Sequence, residues 1–444
     1  MNQDRELVRV ACRRHLYYFV RRAFETLHPG QALILAWHIE AMCHQLEKVA
    51  HGETRRLLIT LPPRGLKSIC ASVCLPAWLL GHDPTLKILV ASYGQDLAAK
   101  HARDFRAIIA SDWYGELFPN TRIDARRTKE ADIMTTKRGG RKSVSLGGAV
   151  TGFGADVVIV DDLMKAGEVH SEVKREEVKV FYEQTLHARL NDKKSGRIVA
   201  IQQRLHEDDL AGFLIEKGRF EHLNLKAIAE ENERFELAHG RVHERRKGEA
   251  LFPGREPLET LEEIRREIGS FAFSSQYQQD PVPPGGNRLR WAWFGTYDEC
   301  PPRNYFQQVV QSWDTAVTAE PTSNFSVGTT WGYREGKWYL LDVYRGRLDY
   351  PDLKRKVGEL LRRWNPDKVI IEKASTGIPL AQELRADMQR SRCDRPDQYR
   401  GPTIISFQPT QDKETRFAAQ TARLEEGMVV IPEQADWHCQ TNQA

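Results

Sequence analysis

Two stretches in the first half of the chain carry residues whose types and spacing suit phosphate binding. In "LITLPPRGLKS" (58–68) a hydrophobic run leads into a Pro/Arg/Gly turn, and Lys67 and Ser68 follow. The phosphate-loop spacing is G-x-x-x-x-G-K-[ST], in which Lys67 and Ser68 fill the last two places. Leu61 and Leu66 stand at both glycine positions. Taken alone, this stretch is a weak match to a phosphate loop.

The second stretch is "ADVVIVDDL", a hydrophobic run that ends in Asp161 and Asp162. A phosphate loop needs such a strand beside it, because the first acid holds the Mg²⁺ that bridges the phosphates and the second can orient an attacking water. Lys67 would then contact the β- and γ-phosphates of ATP, while Ser68 and Asp161 would ligate Mg²⁺. The two stretches together favour this interpretation over a chance Lys-Ser pair and a strand that happens to end in two acids.

Further nucleotide contacts are expected from the backbone and from a later strand end. The N–H groups from Arg64 to Ser68, that of Gly65 included, would hold anionic oxygens at a helix N-terminus. Gln203 and Arg204 follow the run "RIVAIQQ" and would lie at the ligand-facing edge of an α/β sheet, where a γ-phosphate sensor is one interpretation. For the acids at 207–209 we favour a helix N-terminus, which attracts negative charge.

A second pair of carboxylates lies in the other half of the chain. Asp314 ends the run "VVQSWD" and Glu372 ends "KVIIE". Carboxylates on adjacent strands repel each other unless a cation neutralises them, which is why two-metal phosphodiesterases use them as bridging ligands. We therefore expect both to be catalytic metal ligands, although either alone would be an ordinary helix cap or surface charge. Asp342, in "LLDVY", is a weaker companion, for which the opposite sheet face is the alternative.

The elements that must position these residues follow from sequence periodicity. Between about 55 and 202, β-rich runs alternate with helical patterns, which predicts a parallel sheet with crossover helices. The unbroken apolar runs "LLITL" and "VVIV" suit central strands that are buried on both faces. The connector "QDPVPPGGNRLR" indicates a boundary near 285. After it the order is three strands, a helix and a strand, the order in which ribonuclease H-like domains begin.

Composition limits the remaining possibilities. The 65 basic and 61 acidic residues leave a net charge of only +4, so nucleic-acid binding would depend on local clusters such as 121–142. A solvated basic surface is the alternative for that cluster. Seven scattered cysteines, with no C-x-x-C, argue for a reducing compartment, and Cys70 and Cys74 are expected to be buried thiols. No apolar stretch is long enough to span a bilayer, so we expect a cytoplasmic protein.

These residues resemble the large subunit of a tailed-phage or prophage terminase, from "PGQALILAWHIEAM" to "VVIPE". The motifs that carry the resemblance are "LPPRGLKS", "GGAVTGFGADVVIVDDL", "RIVAIQQRLHEDDLAG", "QDPVPPGG", "QSWDTA" and "VIIEKASTG". The resemblance implies an α/β chain in which a P-loop ATPase domain with a parallel sheet is followed by a ribonuclease H-like nuclease domain.

The resemblance also implies residue roles. Lys67 and Ser68 match the Walker A pair, the acids at 161–162 match Walker B, and the pair at 203–204 matches the coupling motif. Asp314 and Glu372 match two nuclease acids, with Mg²⁺ or Mn²⁺ as the metal. The family's third acid, in a segment resembling H-D-D-x-x-D, has no match after "MVVIPE", which leaves cleavage in doubt. We expect a truncated C-terminus, with a third ligand placed elsewhere as the alternative; Asp436 lies too early to match.

The implied domain organisation has four parts. Residues 1–50 form a helical lead-in, 51–230 the P-loop ATPase core, 231–290 a helical subdomain with the Pro/Gly linker, and 291–444 the nuclease domain.

The implied activity is ATP-driven translocation of viral double-stranded DNA into a procapsid, together with cutting of concatemeric DNA. The implied partners are double-stranded DNA, the portal protein and the terminase small subunit, with the chain forming a homo-oligomeric ring in the bacterial host cytoplasm. Basic residues in 121–142 and in "LKRKVGELLRR" are candidate DNA contacts. Two alternatives are a helicase-like ATPase–nuclease of DNA repair and a nonenzymatic remnant that only docks on the portal or the small subunit.

Overall fold

The computed structural model describes residues 2–148, 150, 152–281, 289–316, 325–373, 376–394, 401–410 and 413–435. The chain divides into two compact units, residues 1–286 and 287–444. Most of the connector, residues 282–288, lies outside the described residues. In the described part of the chain, no helix combines the length and the apolar character needed to cross a membrane.

The N-terminal unit is built around a seven-stranded sheet. Its strands are β1 (Arg56–Thr60), β2 (Lys87–Ser92), β3 (Asp132–Met134), β4 (Gly140–Ser145), β5 (Val157–Asp161), β6 (Arg197–Gln202) and β7 (Glu221–Asn224). Their spatial order is β3-β4-β2-β5-β6-β1-β7, and only the edge strand β3 runs antiparallel to its neighbour. Strand β6 therefore lies between the strand that leads into Lys67 and the strand that carries Asp161.

Helices cover both faces of this sheet. They are α1 (Asn2–Arg14), α2 (Leu16–Leu27), α3 (Trp37–His51), α4 (Leu75–His82), α5 (Gln95–Ile109), α6 (Asp112–Leu117), α7 (Glu172–Val180) and α8 (Leu210–Glu216). Two π-helical segments, Ile69–Cys74 and Phe181–Leu186, continue into or out of them.

The central strands pack into two different cores because successive side chains point to opposite faces. Leu57 and Ile59 of β1 enter the core formed with α2 to α5, whereas Leu58 enters the core beside α7 and α8. Residues 157–160 of β5 alternate in the same way. The expectation that both apolar runs are strands buried on two faces is therefore confirmed.

The segment after the sheet differs from its sequence prediction. We expected 231–290 to be helix-rich, but the structure contains the antiparallel hairpin of β8 (Glu233–Glu236) and β9 (Val242–Arg245). Helix α9 (Leu258–Gln276) follows it. The hairpin is held through the buried Arg245, whose guanidinium donates to Glu233 and to the Lys226 carbonyl. Charged residues stand on both faces of β8, so its sequence lacks the apolar–polar alternation that predicts a strand.

The C-terminal unit contains a second seven-stranded sheet. Its strands are β10 (Gly295–Tyr297), β11 (Gln308–Asp314), β12 (Ser326–Arg334), β13 (Lys337–Gly346), β14 (Lys368–Glu372), β15 (Thr403–Phe407) and β16 (Val429–Pro432). The order is β10-β16-β13-β12-β11-β14-β15, with β11, β12 and β13 antiparallel and β14 parallel to β11.

Among the residues of this unit that the structure describes, four helices accompany the second sheet. They are α10 (Tyr350–Trp364), α11 (Gly377–Asp394), α12 (Lys413–Ala418) and α13 (Thr421–Glu425). Trp313 of β11 and Ile371 of β14 pack against Val357 of α10 in one core. The predicted order of three strands, a helix and a strand is confirmed, and so is the predicted fold class of a parallel-sheet domain followed by a ribonuclease H-like domain.

Candidate active sites

The loop between β1 and the first π-helix has a backbone that is unusual for its residues. Arg64 has φ 60° and Leu66 has φ 63°, both in the left-handed region. Leu66 stands at a glycine position of the phosphate-loop spacing, and its backbone adopts the conformation that glycine normally supplies. A Cβ on Gly65 would lie 2.6 Å from Cδ1 of Leu61, so a larger residue there would displace Leu61. The loop is therefore held in a strained form of the kind found at functional sites.

The sheet brings the four principal residues of this site together. Nζ of Lys67 lies 2.8 Å from Oδ2 of Asp162. The Ser68 hydroxyl donates a 3.0 Å hydrogen bond to Oδ1 of Asp161. The backbone N–H of Gln203 donates to Oδ1 of Asp162 at 3.1 Å. The sequence-predicted pairing of the loop with the two acids is thus present as direct contacts.

The carboxyl end of β6 contacts both sides of this site. The Gln202 carbonyl accepts a 3.2 Å hydrogen bond from the N–H of Leu61, at the end of β1. The next residue, Gln203, bonds Asp162 through its backbone. Gln203 therefore lies beside the acids, as expected, and its contact is made by the main chain.

Both acids lie in an environment that disfavours their charged forms. Burial raises the pKa of Asp161, and the hydrogen bond from Ser72 and the charge of Lys67 lower it only in part. Burial also raises the pKa of Asp162, again opposed by Lys67. A divalent cation beside these groups would reverse that balance, because it stabilises the carboxylates.

The available ligand atoms fit Mg²⁺ held together with a nucleotide. A serine hydroxyl and a carboxylate oxygen, 3.0 Å apart, are hard oxygen ligands. The described residues contain no group of three or more His, Cys, Asp or Glu side chains that could hold a metal by themselves. Mg²⁺ is usually bound through one or two protein groups plus phosphates and water.

Arg204 is not directed into this site. Its guanidinium donates to both carboxylate oxygens of Asp209, at 3.0 and 3.1 Å, and to the carbonyls of His206 and Glu207. Asp209 in turn caps α8 by accepting a 2.8 Å hydrogen bond from Gly212. The expectation of a helix N-terminus at 207–209 is confirmed for Asp209. The side chain of Arg204 is committed to holding this turn, which differs from its expected place among the nucleotide contacts.

Three residues around Asp161 were not anticipated from the sequence. Ser72 donates a 2.6 Å hydrogen bond to Oδ2 of Asp161, and Nδ1 of His101 lies 3.6 Å from the same oxygen. Arg141 is fully buried and donates to the Ser72 carbonyl. Ser72 could have been found, since it is four residues after Ser68 on a helical segment. Arg141 was expected among the exposed DNA contacts of 121–142, and its burial removes it from that set.

The other basic residues proposed as DNA contacts are mostly exposed. In 121–142, Arg122, Arg126, Arg127, Lys129, Lys137 and Arg138 are exposed. On α10, Lys354 contacts Glu383 and Asp387, and Lys356 contacts Glu359, so those charges are partly neutralised. In 121–142, Arg127 contacts Asp124 and Lys142 contacts Asp132, so that surface is partly neutralised as well.

In the C-terminal unit, the two predicted nuclease acids end neighbouring parallel strands. Trp313 pairs in register with Ile371, and Asp314 and Glu372 are the next residues of each strand. Trp313 and Ile371 point into the α10 core, so the alternation of side chains places both acids on the opposite face. A Cβ on Gly377 would lie 2.1 Å from the Glu372 carbonyl, so the chain passes closely behind this strand end.

Both acids are paired with basic residues of α12. Nζ of Lys413 lies 2.8 Å from Oδ2 of Asp314, and Nη2 of Arg416 lies 3.8 Å from Oε2 of Glu372. Positively charged side chains thus lie beside both acids, and the carboxylate oxygens are ligands that suit Mg²⁺ or Mn²⁺. Asp342 instead accepts a 2.8 Å hydrogen bond from Nε1 of Trp364 at the end of α10, on the other face. Asp436 lies outside the described residues.

Comparison with known proteins bears on the C-terminal unit. The family model described as "Terminase RNaseH-like domain" matches residues 311–442. No curated protein matches the chain.

Several solved structures are distantly similar. The large terminase of the thermophilic bacteriophage D6E is 11% identical with a TM-score of 0.43, over 89% of each chain. The HK97 bacteriophage large terminase is 12% identical with a TM-score of 0.39, over 94% of this chain and 90% of that one. The human cytomegalovirus terminase nuclease domain is 14% identical with a TM-score of 0.24, over 34% of this chain and 77% of that one.

The family match begins at Gln311, inside β11, and includes both Asp314 and Glu372. The sequence resemblance to terminases is therefore confirmed by an independent finding over the part of the chain that carries these acids. Residues 311–442, which lie within the C-terminal unit, match the terminase RNase H-like domain family.

Proposed function

We propose that this chain is the large subunit of a viral DNA-packaging terminase, an ATPase joined to a metal-dependent endodeoxyribonuclease. The observation that carries the proposal is the contact of Lys67 and Ser68 with Asp162 and Asp161 in a chain whose other unit is a terminase RNase H-like domain. DNA packaging combines two activities. One is ATP hydrolysis, which a nucleotide site of this form would perform, and the other is DNA cleavage by a nuclease of this family.

In the proposed ATPase site, Lys67 would contact the β- and γ-phosphates, and the amides from Arg64 to Ser68, Gly65 included, would hold their oxygens. Ser68 and Asp161 would hold Mg²⁺, which when bound neutralises charge on the phosphates. Asp162 would orient the attacking water once Lys67 has moved from it to the phosphates. The main chain of Gln203 is bonded to Asp162, so it would transmit the movement of Lys67 away from Asp162 to residues 203–210. In that segment Arg204 and Asp209 form a rigid turn.

In the proposed nuclease site, Asp314 and Glu372 would hold Mg²⁺ or Mn²⁺, which when bound activates water and stabilises the developing phosphate charge. Lys413 and Arg416 contact the same carboxylates, so metal binding would replace these ion pairs. Released, both side chains would remain beside the site as contacts for DNA phosphates.

The proposed partners follow from packaging. Double-stranded DNA would be bound through phosphates, because packaging does not depend on sequence, and binding would therefore weaken steeply with salt. The portal protein, the terminase small subunit and a homo-oligomeric ring in the bacterial host cytoplasm complete the proposal. The domain limits proposed are 1–50, 51–230, 231–290 and 291–444.

The test is to measure two activities in one preparation with crossed variants. The full chain should hydrolyse ATP with DNA stimulation and cut plasmid DNA with Mg²⁺ or Mn²⁺. Lys67→Ala should abolish ATP hydrolysis and leave ATP-independent cleavage intact, whereas Asp314→Ala should do the reverse. If neither substitution changes anything, the chain is a nonenzymatic remnant. A repair ATPase–nuclease would show both activities but would not drive DNA into procapsids that carry a portal.

A further inference from the structure

We propose that Ser72 and Arg141 are positioning residues that fix the orientation of the Asp161 carboxylate in the nucleotide site. The inference rests on the proposed ATPase function and adds two residues to its machinery. Neither residue lies in the phosphate loop or in the strand that carries the acids. Ser72 bonds Asp161 directly, and Arg141 bonds the carbonyl of Ser72.

The first observation is that one helical segment holds both oxygens of Asp161. Ser68 donates to Oδ1 at 3.0 Å and Ser72 donates to Oδ2 at 2.6 Å. The two serines are four residues apart and therefore share a helix face. Ser72 lies a full turn beyond the loop, so it makes no phosphate contact of its own. Its bond to Oδ2 sets the plane of the carboxylate and leaves Oδ1 on the side of Ser68, where Mg²⁺ is proposed to bind.

The second observation is that Arg141 holds Ser72 in turn. Its Nε and Nη2 donate to the Ser72 carbonyl at 3.1 and 3.0 Å, and its Nη1 donates to the Ser143 hydroxyl. Ser72 belongs to the π-helix Ile69–Cys74, in which the regular ladder of helical hydrogen bonds is interrupted. π-helical turns occur often at functional sites. Arg141 thus anchors from β4 the irregular turn that presents Ser72 to Asp161.

The third observation is the charge of Arg141. Its side chain is fully buried and, within the residues that the structure describes, is in no ion pair with a carboxylate. Burial lowers its pKa to about 9, so the group stays positive at neutral pH, and Asp161 is the foremost negative charge that opposes this shift. A buried charge costs free energy unless something offsets it. Here the Asp161 carboxylate is the nearest such charge, and Ser72 lies between it and the guanidinium.

The test uses the full chain, with Ser72→Ala as the principal variant and Ser92→Ala as the matched control. Ser92 is also fully buried and pairs in register with Asp161, but its hydroxyl has no hydrogen-bond partner in the described structure. Loss of a group that hydrogen-bonds a metal ligand typically changes metal affinity or activity by about 10- to 100-fold.

We expect Ser72→Ala to lower kcat about tenfold and to raise the Mg²⁺ concentration for half-maximal ATP hydrolysis by a similar factor. ADP binding measured in EDTA should be unchanged, because Ser72 does not touch the phosphates. Ser72→Thr, which keeps the hydroxyl, should restore most of the activity, and Ser92→Ala should match the wild type. Arg141→Lys keeps the charge but loses the paired donors, so it should shift the Mg²⁺ dependence in the same direction.

Two results would overturn the inference. One is a Ser72→Ala variant with wild-type kcat and Mg²⁺ dependence. The other is an equal loss of ADP binding in EDTA, which would mean that Ser72 only maintains the loop. Absence of ATP hydrolysis in the wild-type chain would instead overturn the proposed function, so the two failures are distinguishable.

Discussion

Nζ of Lys67 lies 2.8 Å from the carboxylate of Asp162, so a residue proposed to bind phosphate is paired with the acid proposed to orient water. A lysine cannot serve both partners fully, and nucleotide binding must therefore weaken this ion pair. We predict that Asp162→Asn frees Lys67 and tightens ATP binding by roughly tenfold, about 1.4 kcal/mol, while hydrolysis is lost. Fluorescent-nucleotide titration and phosphate release measure the two effects. Weaker ATP binding in this variant would show that Asp162 supports the bound nucleotide instead of competing with it.

The left-handed backbone at Arg64 predicts that two substitutions at this position differ in stability but not in their KM for ATP. Its φ of 60° is unfavourable for any residue with a Cβ, by about 1 kcal/mol relative to glycine. Arg64→Gly should therefore have a free energy of unfolding about 1 kcal/mol above that of Arg64→Ala. Both variants keep the backbone amide that is proposed to hold phosphate oxygens, so KM for ATP should be the same in the two. Urea unfolding compares the stabilities, and equal values would mean that the strain is absent in solution.

The contact of Lys413 with Asp314 predicts competition with the metal. Lys413→Ala should bind Mn²⁺ more tightly than the wild type, because the metal no longer displaces an ion pair. Lys373→Ala is the matched control, since Lys373 is an exposed lysine directly after Glu372 and its removal changes the net charge equally. Isothermal titration of Mn²⁺ into each variant gives the comparison. Equal tightening in both variants would assign the effect to net charge alone.

The buried pair of Arg204 and Asp209 predicts a large effect on stability. Asp209→Ala should lower the free energy of unfolding by about 3 to 5 kcal/mol, because it leaves the guanidinium buried without a partner and removes the cap of α8. Asp208 pairs with Lys179 and Arg175 but is itself 44% exposed, so Asp208→Ala should cost less than Asp209→Ala. Denaturant unfolding of both variants measures the difference. Similar losses in the two would contradict the assignment of Arg204 to the turn.

Three buried histidines of the N-terminal unit predict acid sensitivity. Burial lowers the pKa of His38, His101 and His222 to about 4. Between about pH 6.5 and pH 4 the unfolded chain binds protons that the native state does not, so stability falls as the pH falls through this window. Each histidine contributes up to about 1.4 kcal/mol per pH unit.

Removing one of these histidines should flatten the pH dependence of unfolding. His101→Gln is expected to reduce the slope of unfolding free energy against pH, and His28→Gln serves as the matched removal at the end of α2. Urea unfolding at several pH values between 7 and 5 gives both slopes. An unchanged slope for His101→Gln would show that this histidine is protonated in the folded protein.

The periodic part of the structure could be predicted because burial leaves a direct pattern in the sequence. The apolar runs before Asp161 and before Glu372 are strands, and the acids follow them because polar groups gather where buried strands reach the surface. Parallel pairing then brings Asp314 and Glu372 together without any further information.

What could not be predicted depends on tertiary contacts that leave no periodic pattern. Arg141 is one of several arginines in a charged run, and tertiary contacts with Ser72 and Phe105 accompany its burial. The glycine positions at 61 and 66 argued against a phosphate loop, yet the fold imposes a left-handed backbone on Leu66. Lys413 is far from Asp314 in sequence, so their contact could not be inferred from spacing.

The position of β6 between β1 and β5 has a mechanical consequence. Two consecutive residues at its carboxyl end are tied by their backbones to the two halves of the nucleotide site, Gln202 to Leu61 and Gln203 to Asp162. A shift of the loop alone, or of the acid alone, would strain one of these bonds against the other. The end of β6 can therefore shift without straining either hydrogen bond only when the phosphate loop and Asp162 shift together.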